Sequence, residues 1–216
     1  DGWLYFTMKC IAGEDLFKVM QRLSWDDLVT IEKFPRDRLI EILIQAMQSL
    51  AYAHAHGVIH RDIKPENIWV GDFAEVILLD WGVSKVWGVE DTDEGPELIR
   101  DIDQELSPLT QDGQRPGTPL YMSPEQVLGH LYLDERTDIF SMGVVLYELL
   151  TFKEPFRGRT VRQTFDRIIN EEPAAPRQVA PARDIPESLE RIALKAIAKK
   201  PEDRYQSAVE MIDDLD

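Results

Sequence analysis

The sequence predicts an α+β domain that is predominantly α-helical, and three observations carry that prediction. Short β-type runs, Val58-Ile59, Ile68-Trp69-Val70 and Val76-Ile77-Leu78-Leu79, sit before Asp80 and are parted by loops rich in Asp, Pro and Gly. Longer segments with apolar residues at helical spacing fill much of the remainder. One of these, Arg136 to Phe152, is apolar on nearly every face, as expected of a helix running through the middle of a domain. With 216 residues, 44% hydrophobic and 30% charged, the chain suits one domain, or a domain and a half, with a real core.

The elements follow in chain order. Asp1-Gly2 is a turn dipeptide, and Trp3 to Met8 after it reads as the second arm of a hairpin whose first arm is not in the sequence. On that reading the chain is cut from something longer. Gly13-Glu14-Asp15 leads into a short helical stretch at about 14–23. Pro35 suits the first position of a longer helix, along which Leu39, Ile42, Leu43, Ala46, Met47 and Leu50 recur. Gly57, just after His54 and His56, ends it. Residues 88–117 change character: Glu90 to Glu105 holds eight acidic side chains against one basic, Arg100, and reads as a solvated loop. The last third carries helical pieces near 160–170, 187–198 and 205–215, joined by a proline-rich connection at 173–186. There is no internal repeat.

Charge and cysteine content exclude several classes. The 24 basic and 40 acidic side chains give a formal charge of −16, which offers no basic field to nucleic acid or to an anionic membrane. No apolar run approaches the length of a membrane span, and no signal peptide opens the chain. The lone cysteine, Cys10, excludes an internal disulfide framework and a cysteine-rich zinc site, and reads as a plain buried thiol. A cytoplasmic, reducing setting is the expectation, and the parent protein could still carry a membrane anchor.

The informative stretch is His60-Arg61-Asp62-Ile63-Lys64-Pro65-Glu66-Asn67. Taken singly, an Asp or Asn in a loop is a turn former. Their joint spacing resembles the catalytic loop of protein kinases, H-R-D-x-x-x-x-N, with a lysine two residues after the aspartate. Asp80-Trp81-Gly82, thirteen positions after Asn67, is similar to the family's D-F-G with Trp for Phe. Gly117-Thr118-Pro119-Leu120-Tyr121-Met122-Ser123-Pro124-Glu125 resembles G-T-x-x-Y-x-A-P-E, and Asp138 to Gly143 resembles D-x-x-S-x-G. Arg204 stands where the family keeps a late arginine that pairs with the A-P-E glutamate, here Glu125. Lys64 and Thr118 are the serine/threonine-type version, and the run from Pro65 to Phe73 most resembles bacterial kinases of the eukaryotic type.

The resemblance implies a protein-kinase-like C-terminal lobe with its hinge strand, spanning residues 1–216 as a partial kinase domain. It also implies an activation segment at 80–125 with the acidic insertion at about 88–117. ATP and Mg²⁺ are the implied cofactors and a protein Ser/Thr hydroxyl the implied acceptor. Asp62 would align the hydroxyl and act as base, and Lys64 would stabilise charge on the transferring phosphoryl oxygens. Asn67 and Asp80, hard oxygen ligands, would hold Mg²⁺. Thr118 would buttress Asp62 and Lys64. His60 would pack beneath the loop and bond backbone near Asp80, and Asp138 would accept backbone N–H groups from below.

At the nucleotide end, Met8 takes the gatekeeper position, Lys9, Cys10 and Ile11 the hinge, and Asp15 the ribose-facing place, with Glu66 within the catalytic loop. Trp69 departs from the pattern on the floor of the adenine pocket, where it would either stack on the base or crowd it. Arg61 is the type of residue that receives a phosphate from the activation segment; Thr92, Ser107 and Thr110 are candidate acceptors, Thr110 first. No G-x-G-x-x-G strand pair and no V-A-I-K-type lysine precede Asp1, so the small lobe is mostly absent from the sequence and would be supplied in cis; the fragment alone is expected to have negligible turnover. A second reading is a pseudokinase or truncated remnant acting as a binding or scaffold module, favoured by Trp69 and the absent small lobe. A small-molecule phosphotransferase is a third, opposed by the Gly117–Glu125 groove motif.

Overall fold

The computed structural model describes residues 12–81, 119–216 and the backbone of 85–86. The strand read at 3–8, the hinge residues and the acidic stretch at 88–117 lie outside the described residues.

Helix α1 (Leu16–Ser24) begins because Asp15 accepts the Lys18 backbone N–H at 2.9 Å, and it buries Leu16, Phe17, Val19, Met20 and Leu23 on one face. Helix α2 (Leu28–Lys33) follows, capped by Asp27. It was not evident in the sequence, because its large residues Leu28, Val29 and Ile31 are exposed and leave no inward-facing period. Helix α3 (Arg36–Ala55) is the long helix expected after Pro35. Pro35 is its N-cap and not its first helical residue: at ψ 164° it is still extended, one position outside the helix. Gly57, at φ 74°, takes the left-handed turn after the helix at little steric cost.

The strands are short. β1 (Glu14–Asp15), β3 (Ile68–Val70) and β4 (Val76–Leu78) form an antiparallel sheet in the order β1-β3-β4, with Asp15 opposite Trp69 and Trp69 opposite Ile77. β2 (Val58–Ile59) pairs antiparallel with β5 (Lys85–Val86). The expected strand through Leu79 stops at Leu78, and the Leu79 N–H instead reaches the Asn67 carbonyl at 2.8 Å.

The second half is helical, with α4 (Pro124–Val127), α5 (Glu135–Thr151), α6 (Val161–Asn170), α7 (Pro176–Val179), α8 (Glu187–Ala196) and α9 (Ala208–Leu215). α5 is the central helix that the sequence implied: every residue from Thr137 to Thr151 is buried. It packs on α8, α7 and α3, while α9 packs against α3. Its C-cap, Phe152, is left-handed at φ 57° and carries the Arg183 guanidinium over its ring at 3.6 Å. α5, with α3 beside it, is the platform on which the loop between β2 and β3 rests.

Candidate active site

Residues 60–67 link β2 to β3 and lie directly over the N-terminal part of α5. Asp138 explains the loop's shape. Wholly buried, its carboxylate accepts from the backbone N–H groups of His60 (2.8 Å) and Arg61 (2.8 Å) and pairs with Nε2 of His54 (2.8 Å). A buried carboxylate is tolerated only with such a set of partners. His60, also wholly buried, bonds the Leu79 carbonyl through Nε2 at 2.9 Å and sets its ring 4.5 Å from Trp81, tilted by 56°. The expected supporting roles of His60 and Asp138 are thus both present in the geometry.

These anchors leave Arg61 at φ 72°, a left-handed conformation that costs a non-glycine residue on the order of 1–2 kcal/mol. The turn it makes presents Asp62. Oδ2 of Asp62 accepts from Lys64 Nζ (2.6 Å) and from Asn67 Nδ2 (3.0 Å), and Asn67 Nδ2 also donates to the Asp62 carbonyl (2.8 Å). Because both acceptors face Nδ2, the amide orientation of Asn67 is fixed and its Oδ1 points elsewhere. Among the described residues, Oδ1 of Asp62, Oδ1 of Asn67 and the Asp80 carboxylate have no hydrogen-bond partner. Among the described residues, open oxygens therefore remain at Asp62 and Asn67 on the loop and at Asp80 on the segment that adjoins it. Asp80, left-handed at φ 62°, follows the Leu79–Asn67 backbone bond, which ties its segment to the loop's end.

Lys64 is three-quarters covered and lies on Asp62, with no second acceptor for its ammonium among the described residues. Glu66 and Asn67 form a single 3₁₀ turn that begins at Pro65. Asp15 is occupied: one oxygen caps α1 and the other pairs with Lys18 Nζ at 2.8 Å. Trp69 donates from Nε1 to the Ala12 carbonyl at 3.1 Å, on the sheet face it shares with Asp15. Met8, Lys9, Cys10, Ile11 and Thr118 lie outside the described residues, as do Thr92, Ser107 and Thr110.

Below the loop, Glu125 and Arg204 make the expected buried pair, two bonds of 2.7 and 2.9 Å, with Thr137 donating to the same carboxylate at 2.8 Å. Two contacts had no counterpart in the sequence reading. One is His54 on Asp138. The other is Gln126, whose Nε2 donates to the Arg61 carbonyl at 2.8 Å. Only the Ser123-x-x-Gln126 capping spacing signalled anything at that position, and it signalled a cap.

A helical lobe with a motif-spaced loop of this shape defines a kinase-like fold. Residues 1–214 match the protein kinase domain family, and the chain belongs to that family. It is similar to the serine/threonine-protein kinase PknD of Protochlamydia amoebophila, at 35% identity over 98% of this chain and 22% of the relative. It is likewise similar to the serine/threonine-protein kinase pkn3 of Myxococcus xanthus, at 37% identity over 96% of this chain and 35% of the relative. A PknD of Chlamydia pneumoniae is 34% identical over 99% of this chain and 23% of its own length. The chain thus spans between about a fifth and a third of the length of these relatives. Among the described residues, no helix is long and apolar enough to cross a membrane.

Proposed function

We propose that this chain supplies the catalytic lobe of a serine/threonine protein kinase, transferring the γ-phosphoryl group of ATP to a protein hydroxyl. The open Oδ1 of Asp62 carries the reading. Its other oxygen is held by Lys64 and Asn67, so Oδ1 is fixed in place with a lone pair to receive the acceptor's hydroxyl proton and to orient the attacking oxygen. Among the described residues Lys64 donates to Asp62 alone, which leaves N–H donors for charge on the transferring group. Thr118, outside the described residues, is proposed to buttress this pair.

Mg²⁺ fits the donor set. Among the described residues no cluster of three or more His, Cys, Asp and Glu could hold a metal alone. Mg²⁺, however, takes one or two protein oxygens and completes its shell with phosphates and water. Asn67 Oδ1 and the Asp80 carboxylate are hard oxygens without a partner among the described residues, on adjoining segments, and they would hold it. When bound, the metal supplies charge neutralisation on the phosphates. Met8, Lys9, Cys10, Ile11, Asp15, Glu66 and Trp69 are proposed to border the nucleotide. The glycine-rich cover and strand lysine would come in cis from elsewhere in a longer parent, consistent with the relatives' greater length. A phosphate on Thr110 would order the 80–125 segment against Arg61.

The test is phosphorylation of a generic basic protein by the full-length parent. Asp62→Asn should lower kcat by at least 10³-fold while nucleotide binding persists, since orientation and proton acceptance are lost but the phosphate ligands remain. A scaffold or pseudokinase would bind nucleotide with no transfer in the unaltered protein.

A further inference from the structure

We propose that Gln126 is a positioning residue for the catalytic loop, coupling the start of α4 to the peptide that aims Asp62. The inference rests on the kinase reading above and adds a residue that this reading did not assign.

Gln126 is the third residue of α4 and makes two bonds with different atoms. Its Oε1 accepts from the Ser123 backbone N–H at 2.9 Å, while Ser123 Oγ accepts from the Gln126 backbone N–H at 3.4 Å, which together form a capping box. Its Nε2 then donates to the Arg61 carbonyl at 2.8 Å, a contact 65 residues away in sequence. A cap alone would leave that second end to solvent. Here it is spent on the one residue of the loop that is left-handed.

The consequence follows from peptide planarity. The Arg61 N–H is held by Asp138 (2.8 Å), which fixes the plane before Arg61. The plane after it carries the Arg61 carbonyl and the Asp62 N–H. Gln126 holds the first, and His60 Nδ1 accepts from the second at 3.3 Å. With both planes pinned, φ and ψ of Arg61 have no remaining freedom, and the Asp62 side chain is aimed. The Asp62 N–H bond is long, so Gln126 is the stronger hold on the second plane. Released from it, that plane can rotate to relieve the φ of 72°. Asp62 would then leave its line with the acceptor hydroxyl.

Because Gln126 follows Ser123-Pro124-Glu125, the end of the 80–125 segment is also tied to Asp62 through it. Correct seating of that end and correct aim of the aspartate become one event.

Gln126→Glu separates the two bonds. Glutamate at this position keeps the capping box, accepting from Ser123, but it has no N–H for the Arg61 carbonyl and sets two oxygens against each other. In the full-length protein, Gln126→Glu should lower kcat about tenfold or more, leave the ATP KM within twofold, and cost less melting temperature than a variant that also loses the cap. Amide hydrogen exchange at residues 60–62 should rise in parallel. Gln126→Met, of equal length but with neither bond, should lose the same kcat and also lose melting temperature. Activity that tracks melting temperature across the two variants would make Gln126 a cap only, and so would unchanged exchange at 60–62 in Gln126→Glu. If the unaltered protein transfers no phosphate, the kinase reading fails, while the exchange measurement still decides the positioning.

Discussion

At the scale of single residues, the most consequential buried charge is Glu125. Burial alone would raise its carboxyl, but the hydrogen bonds and charge of Arg204, with help from Thr137, hold it below the ordinary carboxylate value of 4.5. A carboxyl whose folded pKa is depressed adds stability that is present above its unfolded pKa and is lost as pH falls through the folded one. Melting temperature should therefore drop as pH falls below about 4.5. Arg204→Met removes the pair and strands a buried carboxylate, a loss of about 3–5 kcal/mol at neutral pH. In that variant the acid-side drop should shrink or reverse, because burial without Arg204 makes Glu125 fold more easily protonated than charged. Equal acid sensitivity in both proteins, followed by circular dichroism melts, would remove Glu125 from the account. This pair was legible in the sequence because both partners stand at motif positions. Gln126 and His54 were not, since their partners, a carbonyl and a carboxylate, lie 65 and 84 residues away with no spacing rule to link them.

At the scale of elements, α5 shows what an all-apolar pattern requires of its neighbours. Gly143 sits mid-helix, where glycine costs roughly 1 kcal/mol relative to alanine. A Cβ there would come within 2.5 Å of Ala196 Cβ and 2.8 Å of Ile197 Cγ2, at the end of α8. Neither atom is the far end of a flexible chain, so α8 itself would have to shift. Overpacking of this kind costs about 1–3 kcal/mol, more than the propensity gained. Gly143→Ala should thus lower the urea midpoint despite being the better helix former; a raised midpoint would show that α8 yields freely. The same reasoning explains which elements the sequence disclosed. α1, α3, α5 and α9 bury a face or all faces and so carry a period, whereas α2 exposes its large side chains and α4 has only four residues. The sheet ladders, two or three residues long, were readable as β-type runs but not as pairings, because register depends on contacts between strands that sequence order does not reveal.

At the scale of the whole molecule, the helical fold class and the supporting contacts of His60, Asp138, Glu125 and Arg204 were readable because kinase motifs fix residue type and order together. What sequence order left open was how polar groups are shared in the interior, and that sharing sets the alkaline side of the stability profile. Tyr147 donates to the Ala174 carbonyl at 2.8 Å, and burial, then the charge of Glu190, pushes its phenol up to about 12. Tyr205, donating to Asp214 at 2.7 Å, is raised further by burial and by that carboxylate. Each phenol holds its proton better folded than unfolded, so its stabilisation is complete below the ordinary value of 10.0 and is lost as pH climbs above it. Lys199 acts in the opposite sense. Buried against the end of α6, where Nζ meets the Ile168 carbonyl at 2.8 Å, its pKa is lowered from 10.5 to about 8 by burial. Between those two values the unfolded chain binds more protons, so stability should rise with pH across that interval. The −16 charge works against this by growing more negative, which makes a variant comparison necessary. Melting temperature measured in half-unit steps from pH 7 to pH 11 should hold or rise to about pH 10 and then fall. Lys199→Met should remove the rise below pH 10, and Tyr147→Phe with Tyr205→Phe should soften the fall above it. A fall beginning at pH 8 in the unaltered protein, unchanged by Lys199→Met, would show that self-repulsion and not the buried ammonium governs the alkaline limb.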